Sequence, residues 1–464
     1  MLRAQSAQWA YADRWQGTAM TADVGTAFVV TRPLPSRVVS VPGLGRAVSL
    51  VTMAALTAIV AWLRLTPTAR DTLWAEDGRE FLQRAASDPQ WTTLLRPYAG
   101  YLHLVPRIEA ILTVDLVPVQ WWADSMTALS CIIAGCVATA VYMSSREFLS
   151  WMPARLAVSA LTVLTPLASR EVLGNAANLH SILFWGVLWV VLATPHTRTG
   201  QMAGAAFTLL AALTDIQVVF LLPLLLWNRR DRRTWPIKAA LVVGAMAQIT
   251  AQLLAPRAWG GRGAVSALSL AEGWAINAVA SSWIPIPELG RALSAALPGV
   301  FLCLLIPLSA MAIIWCVGTR RQQILSSILL IGSIVVWCAG VMVDPAPWYD
   351  YAAMSPLELT HVWLSRYGVV PAMMLLAQVG VAADALMRHP ATGRRIAARG
   401  LMVVLVISLM VQASEPLNRR GAGPAWAPQI ATADTQCDSR GHPAATLRET
   451  LTWTVRVPCR YVDG

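Results

Sequence analysis

Residues 47–81 read AVSLVTMAALTAIVAWLRLTPTARDTLWAEDGREF. The run ending near Leu65 is apolar over about the 20 residues a helix needs to cross a bilayer. It gives way to Trp74, the adjacent carboxylates Glu76 and Asp77, and Gly78. The run decides the class of fold. The acid pair just past its end poses the functional question, because charge beside hydrocarbon needs a reason.

The rest of the chain repeats the first signal. Of 464 residues, 56% are hydrophobic and 13% charged, against about 25% charged in a soluble domain. Mean hydropathy is +0.53. Many of the 21 Trp residues stand near the ends of apolar runs, where interfacial aromatic belts form. We read an all-α integral membrane protein with about eleven transmembrane helices, at 47–65, 121–143, 154–168, 181–194, 202–213, 216–227, 238–254, 297–317, 324–343, 367–386 and 400–413. Segment 100–118 carries Arg107, Glu109 and Asp115 and reads as a helix lying on or dipping into the membrane. The stretch LLAALTDIQVVFLLPLLL at 209–226 reads as two short helices meeting at TDIQ. A single helix there would place Asp215 at mid-membrane, at a cost.

Three regions follow. Residues 1–46 have no long apolar run, unlike a cleaved signal peptide, and read as a disordered cytoplasmic extension. Residues 47–413 are the polytopic domain. Residues 414–464 are a polar, extracytoplasmic tail too short for an ordinary core, with alternation near 444–458 that suits a hairpin.

The net charge of +11 does not argue for nucleic acid, because the arginines are scattered through short loops. Lys238 is the one lysine among 36 basic residues. Basic loops at the N-terminus, near 146, 198 and 320, and at 228–233 and 388–395 fall on one side, which the positive-inside rule makes cytoplasmic. The N-terminus is then inside, the C-terminus outside, and the expected location is a bacterial inner (plasma) membrane. Arg79, Arg107, Arg170 and Arg366 fall on the outer side against this bias, with Glu76, Asp77, Glu171, Asp215, Asp344, Asp350 and Glu358. Five cysteines lie in apolar runs and read as packing residues. Cys437 and Cys459 lie in the tail, where an oxidising compartment would join them.

Nucleoside triphosphates are absent outside such a membrane, so a transfer reaction there needs a group already activated on a lipid. It also needs a carboxylate to take a hydroxyl proton, arginines to hold a departing phosphate, and a groove for the lipid tail. Arg366 with Tyr367 opens the tenth span. Arg170 and Glu171, with Asn178 and His180, form a polar cluster between the third and fourth. Asp215 and Gln217 sit in a tight outer turn. The same residues also have blander readings. The acid pair can cap a helix, Arg366 can snorkel, Arg170–Glu171 can be an exposed ion pair, and Asp215 can satisfy turn amides.

LWAEDGREF at 73–81, GNAANLH at 174–180, SRYGVVPA at 365–372, and a tail with CDSR at 437–440 and VPC at 457–459 together resemble the GT-C glycosyltransferases. The likeness is to uncharacterised bacterial members with an aromatic-x-Glu-Asp-Gly first-loop motif. The resemblance implies an inverting transfer of a sugar from a polyprenyl-phosphate donor to a glycan, glycolipid or protein acceptor. It makes Asp77 the base, with Glu76 as alternative, and gives Arg366, and in second place Arg107, the donor phosphate. Gly78 would permit a bend that turns a carboxylate inward. Some relatives use a divalent metal, but no ligand spacing here argues for one, and no cofactor is expected. The rivals are a transporter or lipid flippase, and a polysaccharide ligase or polymerase.

Overall fold

The computed structural model describes residues 44–257, 265–362, 364–413, 418–438 and 443–462. Nearly all of the expected N-terminal extension lies outside them, as do Ser439 and Arg440 of the tail motif. The described chain is mostly helical. We label the main elements α1 (Leu44–Leu63), α2 (Leu104–Leu116), α3 (Trp122–Ser145), α4 (Met152–Leu164), α5 (Leu179–Leu192), α6 (Arg198–Ala212), α7 (Trp235–Leu254), α8 (Leu305–Val317), α9 (Arg320–Val343), α10 (Val369–Met387), α11 (Thr392–Ala413) and α12 (Trp426–Cys437). Two antiparallel strands, β1 (Ala444–Arg448) and β2 (Thr454–Pro458), close the chain.

Among the described residues, seven helices are long and apolar enough to cross a membrane: α1, α3, α4 with the turn following it, α7, α9, α10 and α11. The other four expected spans are shorter elements. Helix α5 has 14 residues, α6 has 15 and α8 has 13. Residues Ile216–Leu226 wind as a 3₁₀ segment containing Pro223, which has no amide hydrogen to give a helix. The chain does break between α6 and this segment, at Leu213–Asp215.

Helix α10 is the centre. Its apolar residues run round every face, so it needs a wrapping of other helices. It packs on α4, α8, α9 and α11, and its whole apolar window is buried. Buried Asp384 ties its far end. Oδ1 accepts from the Ser150 and Trp151 amides at 2.8 and 2.6 Å, and Oδ2 from Gln322 Nε2 and Arg388 Nε at 2.9 and 2.8 Å. Helix α1 is the opposite case, with only 6% of its window buried.

On α2, Arg107 and Glu109 are buried, while Asp115 is exposed and accepts from Gln90 Nε2 at 2.6 Å. One expectation changes. The tail is no appendage. Ala445, Leu447, Val455 and Val457 alternate inward along the hairpin, as a period of two requires. With Trp426 and Ile430 of α12 they form a second core against Leu73, Phe81, Leu82 and Trp122. Trp426 Nε1 donates to the Val119 carbonyl at 2.7 Å, so its ring is buried with its polar handle satisfied. Each such side chain stabilises docking by about 1.5–3 kcal/mol. A disulfide joins Cys437 to Cys459.

Candidate active site

The acid pair opens a π-helical turn, Asp77–Leu82, a form often found at functional sites. Its two carboxylates part company. Asp77 is 1% exposed. Its Oδ1 accepts from the Ala177 amide at 2.8 Å and its Oδ2 from the Ala176 amide at 3.3 Å. It thereby pins the GNAANLH loop. Burial pushes its carboxyl up to about 7, against the pull of the Arg420 guanidinium and the two amides. Arg420 is itself buried from the tail side and donates to the Thr72 and Leu173 carbonyls and to Thr127 Oγ1 at 3.1–3.3 Å.

The tail also reaches the next residue. Glu449 Oε2 accepts from the Gly78 amide at 3.0 Å, and Thr450 Oγ1 accepts from the Ala75 amide at 3.1 Å. Gly78 is therefore needed for a close approach and not for a bend, since a Cβ there would collide with the Glu449 carboxylate. Burial, with Asp77 nearby, pushes Glu449 up to about 9.

Glu76 faces the other way, into a cavity of about 410 Å³. Its Oε2 is buried and accepts no hydrogen bond from any described residue. The same cavity is lined by Arg366, Tyr367, Asn178, His180, Asp215 and Gln217, so the structure gathers seven of the expected residues around one space. Arg366 Nη1 lies 3.4 Å from Glu171 Oε2, and Arg419 Nη1 lies 2.7 Å from Glu171 Oε1. Glu171 thus holds Arg366 from behind and pairs with it, not with its neighbour Arg170. Asn178 Nδ2 donates to the Glu171 carbonyl at 3.2 Å. Asp215 accepts from the Gln217 amide at 2.9 Å through Oδ1, while Oδ2 is buried without a partner among the described residues. Burial pushes Asp215 up to about 7.

Arg107 and Arg170 are not among the lining residues. Arg107 is buried behind the acid-pair turn, 3.5 Å from the Glu80 carbonyl and over the Phe81 ring at 5.5 Å. Its second-place role as a phosphate ligand is not what this position serves. Asp77, buried and saturated by amides, is likewise not placed to take a proton from a molecule in the cavity.

Sequence reasoning missed Tyr98, Tyr101, His103 and Arg257, which also line the space. Tyr98 and Tyr101 exchange both backbone hydrogen bonds, at 2.9 and 3.1 Å, across Ala99 (φ 50) and Gly100 (φ 87). Two central residues with positive φ make the tight hairpin turn usually carried by Asn-Gly, Asp-Gly or Gly-Gly; in RPYAGYLH only the Gly carried that signal, and Ala99 hid it. Burial, with Arg107 nearby, holds His103 well below its ordinary value, so it is a neutral ring whose Nδ1–H donates to the Tyr101 carbonyl at 3.2 Å. Arg257 Nη2 pairs with Asp344 at 3.1 Å.

The far wall is apolar: Ile216, Val219, Phe220, Ile249, Leu253, Ala339 and Val343. Val219 and Phe220 also line a second apolar space of about 540 Å³ along α9. Ile324, Ile328, Ile331 and Val335 bound that second space, while Ala339 and Val343 bound the first. Steps of three and four put all six on one face of α9. Polar cavity and apolar groove thus lie along one face of α9 over about 28 Å, with Val219 and Phe220 as walls of both. Several wall residues, Leu253 at 76% and Ile331 at 61%, are open to the surroundings.

Among the described residues, no three His, Cys, Asp or Glu side chains converge to hold a metal ion. The fold and cavity define a mostly helical protein with helices long and apolar enough to cross a membrane, and with a polar chamber beside an apolar groove. No protein-family model, curated protein or solved structure matches this chain.

Proposed function

We propose that the protein is a membrane glycosyltransferase that moves a sugar from a polyprenyl-phosphate donor to a hydroxyl acceptor on the extracytoplasmic side. The observation that carries this reading is Glu76 Oε2, buried with no hydrogen-bond partner among the described residues, sharing one cavity with Arg366 beside the apolar α9 groove. The isoprenoid tail lies in the groove and its phosphate meets Arg366, whose fork suits phosphate oxygens. Glu76 Oε2 takes the acceptor proton. The acceptor oxygen attacks the anomeric carbon, and the bond to the phosphate oxygen breaks with its electron pair leaving on the phosphate. One displacement inverts the anomeric centre. Glu171, held also by Arg419, keeps Arg366 aimed.

The test is transfer from radiolabelled polyprenyl-phosphate sugars in purified membranes. Glu76→Gln should lose transfer by about 10²–10⁴-fold at unchanged protein level. Arg366→Gln should weaken donor use. Wild-type rates in Glu76→Gln would sink the base assignment. A second reading rests on Asp215. It stands at the break between two short helices with a buried free oxygen, a pattern of transporter sites. Movement of a labelled lipid-phosphate sugar across proteoliposomes, without transfer, would favour that reading.

A further inference from the structure

A different cavity lies at the opposite end of α3, where α3 finishes and α4 begins. Helix α1 touches α3 where Gly135 meets the Ala54 carbonyl, a contact any Cβ at 135 would block. Between that crossing and the start of α1 is a space of about 890 Å³. Three guanidiniums line it, Arg46, Arg146 and Arg155, one from each helix, and no carboxylate does among the described residues. Arg155 is held over the Tyr142 ring at 4.2 Å and donates from Nη2 to the Tyr142 carbonyl at 3.0 Å. Its Nε is buried with no partner among the described residues. Like charges with no counter-charge among the described lining residues repel one another, so a bound anion would relieve this arrangement.

Two further observations say what kind of anion. The space exceeds what a free phosphate needs and falls within the range of organic ligand sites. Its walls between the arginines are apolar and open: Leu56 is 58% exposed and Leu156 39%. Arg46 and Arg146 also border a neighbouring, mainly apolar groove of about 740 Å³ on the other side of α3. The carboxylate on that groove, Glu147, is already paired with Arg321 at 3.2 Å. Charge between two apolar channels, beside a helix that is hardly covered by protein, is the shape of a two-chain lipid.

We propose that this cavity binds the phosphodiester headgroup of an anionic bilayer lipid, with one acyl chain in each groove. Basic pockets between membrane helices hold anionic headgroups in this way. The site is separate from the Glu76 cavity and does not depend on the reaction proposed for it.

The test is retention of lipid by the full-length protein. Purified protein is exchanged into neutral detergent with equimolar phosphatidylglycerol and phosphatidylcholine, then examined by native mass spectrometry. One phosphatidylglycerol per chain should remain, in preference to phosphatidylcholine. Arg46→Gln should lower that occupancy roughly five-fold, and the Arg46/Arg146/Arg155→Gln triple variant should abolish it. The matching triple Lys variant, which keeps the charge, should retain it. If the triple Gln variant does not fold, the single Arg46→Gln variant decides. Equal retention of the two lipids would overturn the proposal, as would unchanged retention by Arg46→Gln. So would complete displacement by inorganic phosphate, which would make this a site for a free anion.

Discussion

At the scale of single residues, the two adjacent acids show how one peptide unit separates structure from chemistry. Asp77 is spent on two backbone amides, whereas Glu76 keeps a free oxygen. Asp77→Asn should therefore act mainly through stability. It loses one acceptor, leaves an amide of Ala176 or Ala177 facing an NH₂ group, and lowers the melting temperature in detergent more than Glu76→Gln does. A melting curve for Asp77→Asn that matches wild type, with transfer abolished, would return the base role to Asp77. Asp384 offers a control far from the cavity. Its carboxylate satisfies two amides, Gln322 and Arg388 at once. Asp384→Ala orphans all of them and should cost on the order of 3 kcal/mol, read as a lowered unfolding temperature.

At the scale of elements, the tail hairpin and the acid-pair turn form one titrating contact. Glu449 is raised from an ordinary 4.5 to about 9, and Asp77 from 3.8 to about 7. An acid raised on folding stabilises fully below its unfolded value and loses that contribution as pH climbs to its folded one. Docking of β1 and β2 should therefore weaken as pH rises from about 4.5 to 9, then level off. Hydrogen exchange of the hairpin amides, corrected for intrinsic rates, measures this. Glu449→Gln keeps an acceptor for the Gly78 amide and should flatten most of the slope; an unchanged slope would refute the assignment. The hairpin was legible in the sequence because alternation is local, and so were the break at TDIQ and the grouping of Glu76, Asp215 and Arg366. Arg420 and Glu449 were not, because neither makes local sense: each is explained only by Asp77 or Gly78 hundreds of residues away. Arg107 misled for the converse reason, since a buried Arg with a carbonyl and a ring for neighbours has the same one-dimensional context as a phosphate ligand. Seven of the expected spans are helices long enough to cross, whereas apolar runs of 11–15 residues look alike in sequence whether or not they cross.

At the scale of the whole molecule, the proposed transfer makes the groove on α9 the element that would select donors by their tails. Val219 and Phe220 line both chamber and groove. Val219→Trp would narrow the space there. Transfer from long-chain polyprenyl donors should fall by at least ten-fold, while a donor with a tail of only one or two isoprene units loses little. Equal losses for both would show that the groove is not a tail site. The pairing of the tail with the first loop has a consequence in time. The bonds from Ala75 to Thr450 and from Gly78 to Glu449 span 375 and 371 residues. Ribosomes add residues in order, so the acid-pair turn leaves the translation machinery long before its partners are made. Until residues 418–462 arrive, the Gly78 amide lacks its acceptor and Asp77 lacks the guanidinium that offsets its burial. The acid-pair turn thus gains its Glu449, Thr450 and Arg420 partners only after helices α1–α11 have been synthesised.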